Sequence, residues 1–254
     1  MRIISFSADG LINAASKGFY DWLAEQDADF VCVQDLRCSE YDLQDNVYFP
    51  QDYNAYFLDD IDGKANGVAI YCRKLPKAIM TGLGFADFDM EGRYIQADYE
   101  NLSVGCLLAP YAEPGNAEQL ARKNEFYELL AAHLQKVRNK RREFVICGNW
   151  HLAHTPADVQ DTDNNSNIPG FLAEERQWMN ELYESGYVDA FREINSDHDE
   201  FSWWPDGGRE ENGWRTDFQV ISKGLQYTVE YGAIYTNKTF SSHAPVIMDY
   251  DLEV

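Results

Sequence analysis

The stretch Val145-Ile146-Cys147-Gly148-Asn149-Trp150-His151-Leu152-Ala153-His154 decides how this chain is read. An apolar run ends in a glycine and hands over to polar side chains, the pattern of a buried strand and the loop that leaves it. Open α/β sheets gather their chemistry at such strand ends. Upstream, residues 2–6 alternate around isoleucines and predict a strand. Residues 16–26 carry Phe19, Trp22 and Leu23 at helical spacing, and residues 30–35 form an apolar run that closes on a carboxylate. Strand, helix, strand predicts a parallel pair.

Residues 53–58, 67–73, 93–99 and 102–109 read as four further strands of an antiparallel meander. The longest helical pattern covers 116–140, and the central strand at 144–147 follows it. A second helix is expected over 173–183, with strands ending at Phe201-Ser202-Trp203-Trp204-Pro205 and covering 216–222, 227–235 and 245–250. Strands and helices in both halves, with no repeat and no linker, predict two facing sheets with helices outside, as one α/β domain spanning residues 1–254.

The chain has 254 residues and a formal net charge of −22. A protein that grips DNA or RNA unaided usually shows a basic surface, because affinity comes largely from neutralised phosphates. This chain as a whole repels a polyanion, so any nucleic-acid contact needs a local basic patch or a partner. No apolar run approaches the roughly 18 residues of a membrane span, and the first six residues read as a strand rather than a signal peptide. The five cysteines form no CxxC pair and lie mostly in strand-like runs, which predicts buried reduced thiols and a cytoplasmic protein.

Several segments together resemble one family. They are Ile4-Ser5-Phe6-Ser7, Val33-Gln34-Asp35, Gly67-Val68-Ala69-Ile70-Tyr71, Glu91-Gly92-Arg93-Tyr94, Gly170-Phe171-Leu172 and Glu175-Arg176-Gln177-Trp178, followed by Phe201-Ser202-Trp203-Trp204, Gly213-Trp214-Arg215-Thr216-Asp217-Phe218 and Ser242-His243-Ala244-Pro245. Their order resembles the exodeoxyribonuclease III class of the endonuclease/exonuclease/phosphatase family. The resemblance implies a four-layered α/β/β/α sandwich of the deoxyribonuclease I type. It also implies metal-assisted phosphodiester hydrolysis, in which a divalent ion, usually Mg²⁺, binds carboxylates and a phosphate oxygen.

Carried over position by position, the resemblance puts Ser7 where the family has an asparagine, and Asp35 at its metal-ligating glutamate. Leu108 falls at a tyrosine, Asn149 at the general-base aspartate and His151 at its partner asparagine. Asp217 and His243 are retained, while Ser242 falls where a carboxylate is expected to orient the histidine. An amide cannot take a proton. These positions are therefore expected to form a degenerate site with no catalytic residue, no metal and no cofactor, its pocket partly filled and hydrogen-bonded internally.

Within the family this combination resembles the catabolite repression control proteins, through Gln34-Asp35-Leu36-Arg37 and the run Lys136 to Arg142. That likeness implies a non-catalytic translational regulator acting with the RNA chaperone Hfq on A-rich mRNA in a ternary complex. The partner surface is expected at Arg138, Lys140, Arg141 and Arg142, with Trp203, Trp204 and Trp214 as candidates to stack on bases. The alternative is a Mg-dependent exodeoxyribonuclease III or abasic-site endonuclease of DNA repair with an atypical site. A small-molecule phosphatase shares the alternative's need for a carboxylate at position 149.

Overall fold

The computed structural model describes residues 1–138 and 140–254; Asn139, inside the expected helix and basic run, lies outside the described residues. In chain order the elements are β1 (Arg2–Ser7), α1 (Leu11–Ser16), α2 (Phe19–Leu23), β2 (Phe30–Gln34), β3 (Asn54–Leu58), β4 (Val68–Cys72), β5 (Ala78–Thr81), β6 (Tyr94–Asp98) and β7 (Leu102–Leu108). They continue as α3 (Ala117–Val137), β8 (Glu143–Asn149), α4 (Thr162–Asn165), α5 (Ala173–Glu184), β9 (Tyr187–Asp189), α6 (Ala190–Ile194), β10 (Asp217–Ser222), β11 (Val229–Ile234) and β12 (Val246–Tyr250).

Two six-stranded mixed sheets result, in the orders β11-β12-β1-β2-β4-β3 and β5-β6-β7-β8-β10-β9. Each is centred on the parallel pair a crossover helix allows, β1 with β2 and β7 with β8. Period two along each strand decides which side chain enters which layer. Phe30 and Cys32, Val104 and Cys106, and Val145 and Cys147 fill the layer between the sheets, while Val31 and Val33 turn outward to Phe19, Trp22 and Leu23. Phe144, Ile146, Phe218 and Val220 turn outward onto Phe126, Leu130, Met179 and Leu182 of α3 and α5. The expected four-layered α/β/β/α sandwich is the fold observed.

Several local expectations change. Residues 16–26 do not form one helix: Gly18 takes φ +85° and separates α1 from α2, a conformation an L side chain resists. The four strands of the expected meander divide between the sheets, because β5 pairs with β6 and starts the second sheet. Residues 201–205 form no strand; Trp203 makes single bridges to Trp214 and His243. All five cysteines are buried and unpaired with one another. Among the described residues no helix is long and apolar enough to cross a membrane.

Candidate functional site

The same alternation that fills the central layer assembles the site. Ser7, Leu108, Asn149 and Asp217 sit on the inward phase at the C-terminal ends of β1, β7 and β8 and at the start of β10. Four segments distant in sequence therefore end at one place between the sheets. Gly148 permits this closeness, since a Cβ there would collide with the Leu107 carbonyl of β7. The loops that leave these strands carry the rest of a cavity of about 580 Å³, lined among others by Asp9, Asp35, Arg37, Arg93, His151 and His243. The pocket is thus open rather than partly filled as the sequence suggested.

Nine non-glycine residues adopt positive φ among the described residues, and Asp9, Asp35, Arg37, Asn66 and His151 of these line this cavity. Left-handed side-chain-bearing residues cost energy and collect where a fold must aim particular groups.

His243 Nδ1 lies 2.8 Å from Asp217 Oδ2, both side chains being buried. A carboxylate only accepts, so Nδ1 carries the proton. Ser202 Oγ donates to the same Asp217 oxygen at 2.6 Å and fixes it. Burial alone would lower the pKa of His243, but the charge and hydrogen bond of Asp217, with Asp9 and Asp35 beyond, raise it above the ordinary histidine value. This corrects the expectation for Ser242. The carboxylate that orients the histidine is Asp217, and Ser242 instead donates its N–H (2.9 Å) and hydroxyl to Asp9 Oδ2. The His–Asp pair is intact.

Asn149 is buried, and its amide orientation follows from its neighbours. Oδ1 accepts the His151 backbone N–H at 3.0 Å, leaving Nδ2 to donate to His151 Nε2 at 2.9 Å. His151 Nδ1 in turn donates to the Ala109 carbonyl at 2.7 Å. Burial, helped by the charge of Lys123, pushes His151 down to about 3, so it stays neutral and its lone pair is taken by Asn149. It fills the partner-asparagine position as a hydrogen-bonding group. Asn149 Nδ2 also approaches Ser7 Oγ at 3.3 Å and His243 Nε2 at 3.5 Å. His243 lines the cavity, while Asn149 is buried behind it with its amide hydrogens directed at His151 and Ser7.

The carboxylates that the family's divalent ion would require are already engaged. Arg37 Nη2 and Nε bind Asp35 Oδ2 and Oδ1 at 2.6 and 3.1 Å, and Nη2 reaches Asp9 Oδ1 at 3.3 Å. Burial would raise Asp9, but His243, the Ser242 bonds and Arg37 hold its carboxyl below the usual range. For Asp35 burial prevails over Arg37 and raises it. A guanidinium keeps its proton at every relevant pH, so these residues as placed do not fit a Mg²⁺ ion.

Other groups were missed in the sequence. Asp9 had a signal, an Asp-Gly pair two residues beyond Ser7, and Arg37 stood in a quoted segment without a role. Tyr111 lines the pocket with its ring 5.4 Å from that of His151 and brings a phenol beside the hydroxyl-free Leu108. Lys123 and Glu175 form a buried ion pair that supports the loop: Lys123 Nζ donates to the His151 carbonyl at 2.7 Å, and Glu175 Oε2 accepts from Gly170 N at 2.6 Å. No pattern in the sequence marks Lys123.

The basic run is far from all this. It precedes β8, whose seven residues separate it from Asn149 by roughly 20 Å. Arg142 is bound to Asp98 at 2.7 Å, and Arg138 donates to the Ser185 carbonyl, whereas Lys140 and Arg141 are exposed. Of the tryptophans, Trp204 and Trp214 are buried, while Trp203 lines the pocket with its ring stacked on His243 at 5.8 Å. His154 leaves the site and bonds Asn180 at 2.7 Å.

Two helix-flanked sheets carry an Asp–His pair and an amide together at their strand ends. Residues 7–238 match the model of the Endonuclease/Exonuclease/phosphatase family, and the chain belongs to that family. It is 30% identical over 253 residues to a protein of Bacillus subtilis named exodeoxyribonuclease, covering 97% of this chain and 98% of that one. A DNA-(apurinic or apyrimidinic site) endonuclease of Dictyostelium discoideum is 29% identical, over 99% of this chain and 71% of its own length. The solved structure of an AP endonuclease from Archaeoglobus fulgidus superposes with a TM-score of 0.90 at 23% identity, covering 99% of this chain and 100% of that chain, and bears on the fold alone. The expectation that the chain is not an enzyme is thereby corrected. Relatives at about this identity over the whole chain are named nucleases, and the pair thought lost is present.

Proposed function

We propose that the pocket between the sheet ends is a phosphodiester site, and that the chain hydrolyses nucleic-acid strands in the manner of exodeoxyribonuclease III and abasic-site endonucleases. The observation that carries this reading is the buried Asp217–His243 pair beside the Asn149 amide. The full-length likeness to the Bacillus exodeoxyribonuclease supports it. In this reading a protonated His243, fixed by Asp217 and lining the pocket, donates from Nε2 to a phosphoryl oxygen. In a protein of net charge −22, Lys64 on the pocket wall adds positive charge, whereas Arg37 is paired with Asp35 and Asp9 and Arg93 with Glu91. Asn149 cannot accept the proton of an attacking water. Turnover is therefore expected to fall about 10²–10⁴ below that of a site with a carboxylate there.

Purified protein incubated with abasic and nicked duplex DNA tests the reading. Slow cleavage that disappears in Asp217→Asn is expected; wild-type cleavage no faster than that variant's sinks it.

A second reading rests on the opposite end of β8. The exposed Lys140 and Arg141 favour a cytoplasmic post-transcriptional role like that of the catabolite repression control proteins, with the RNA chaperone Hfq and A-rich mRNA. Long-range repulsion from −22 charges, screened over about 8–10 Å, disfavours free RNA. A contact tethered by the chaperone is effectively intramolecular. Pull-downs with chaperone alone, RNA alone and both together distinguish this role, which requires binding only to the pair.

A further inference from the structure

The loop after β2 does something unusual with an arginine. Asp35 and Arg37 both stand in the left-handed region, at φ +58° and +49°. Their conformation is held by Leu36 N–H to Gly67 O at 3.2 Å and Arg37 N–H to Asn66 O at 2.9 Å, around a buried Leu36. The backbone, rather than a drifting surface side chain, therefore aims the guanidinium. It forks onto both Asp35 oxygens and reaches Asp9 Oδ1. The other Asp9 oxygen is taken by Ser242.

We propose that Arg37 is a resident cation standing where a divalent ion would otherwise neutralise these carboxylates, and that the pocket binds a phosphate group through it without metal. The phosphate half of this inference rests on the reading of the pocket as a phosphodiester site.

Charge points the same way: Asp35 and Asp9 are two carboxylates, and the Arg37 guanidinium offsets one of them. Geometry also leaves Arg37 a free hand: Nε and Nη2 are spent on Asp35 and Asp9, while no described residue accepts from Nη1. The side chain is half exposed on the cavity wall. Guanidinium N–H groups match phosphate oxygens in a planar fork, and His243 stands on the same wall to share the anion.

The test has two arms on the full chain. In the first, Mg²⁺ is titrated from zero to millimolar concentration while thermal unfolding is followed. Wild type is expected to show no Mg²⁺-dependent rise in midpoint, and Arg37→Met, which unpairs two carboxylates, to gain one. A rise in wild type as large as in the variant overturns the inference. In the second arm a fluorescent single-stranded oligonucleotide ending in a 3′-phosphate is bound at fixed ionic strength, in EDTA or in Mg²⁺. Wild type is expected to bind equally in both. Arg37→Met is expected to bind about tenfold or more weakly in EDTA, the size of a lost charged hydrogen bond, and to recover with Mg²⁺. Wild-type binding that requires Mg²⁺ overturns the inference. Absence of binding in either buffer overturns the phosphodiester reading instead, while the first arm still decides the role of Arg37. Both wild-type measurements stand without the variant, should Arg37→Met fail to fold.

Discussion

Asp217 Oδ2 and His243 Nδ1 meet at 2.8 Å although they lie 26 positions apart, and both side chains are buried. The pair fixes the tautomer and keeps the imidazole readily protonated, the two properties a donor to a phosphoryl oxygen needs. Asp217→Asn and His243→Gln are each expected to lower DNA cleavage by about 10²–10⁴. The double variant should be little worse than either, because groups that act as a unit are not additive. Initial rates of the three variants check this; additive losses would show that the two residues act apart.

The pair also predicts how stability depends on pH. The folded-state pKa of His243 is raised, so its protonation stabilises the fold fully below the unfolded value of about 6.5. That contribution is lost as pH rises through the folded pKa. Unfolding midpoints measured across this window should fall with rising pH in wild type. The fall should be shallower in His243→Gln.

Asn149 stands at the position where the family resemblance expects a general-base aspartate. Asn149→Asp would place a carboxylate within reach of His243 Nε2, 3.5 Å from the present amide nitrogen. Because the His–Asp pair is intact, this single change is expected to raise cleavage by about 10² or more. An unchanged rate on abasic DNA would show that the other replacements dominate.

Away from the pocket, Arg215 is buried between Asp158 (2.7 Å) and Asp189 (2.6 Å), with Arg192 on the same Asp158 oxygen at 2.6 Å. Burial would raise Asp158, yet the two guanidinium groups hold it far below the usual carboxylate range. Asp158→Ala leaves a buried cation short of its partner and is expected to cost about 3–5 kcal/mol. Chemical denaturation measures this, and a loss under about 1 kcal/mol would mean water reaches the cluster.

For the basic run, the exposed pair is the informative one. Lys140→Glu with Arg141→Glu is expected to weaken any ternary complex with chaperone and A-rich RNA while leaving the unfolding midpoint unchanged. Arg142→Glu would confound the result, since it faces Asp98. Gel shifts beside a melting curve separate the two effects, and an assembly indifferent to the double reversal argues against this surface.

Much of the architecture was legible along the chain. Apolar runs of period two and the amphipathic pattern that became α3 and α5 are local consequences of which side chains must leave water, so strands, helices and layers follow from composition in short windows. The retention of Asp217 and His243, the amide at Asn149 and the missing hydroxyl at Leu108 are facts of identity, and the sequence settles them by itself. It also gives the net charge of −22, which disfavours unaided contact with a polyanion.

Which partner each of those residues takes is a matter of tertiary structure. The family resemblance put the histidine's orienting carboxylate at position 242, which is serine here. Inward phase at the end of a different strand brings Asp217 there instead, and Ser242 turns to Asp9. Arg37 is two residues from Asp35, a spacing that says nothing about contact in a strand or a helix. Left-handed φ at both residues folds the guanidinium back onto the carboxylate and across to Asp9. Contacts closed by long-range pairing and by a few strained dihedrals leave no periodic trace, and for that reason only the folded chain shows Arg37 lying across Asp35 and Asp9.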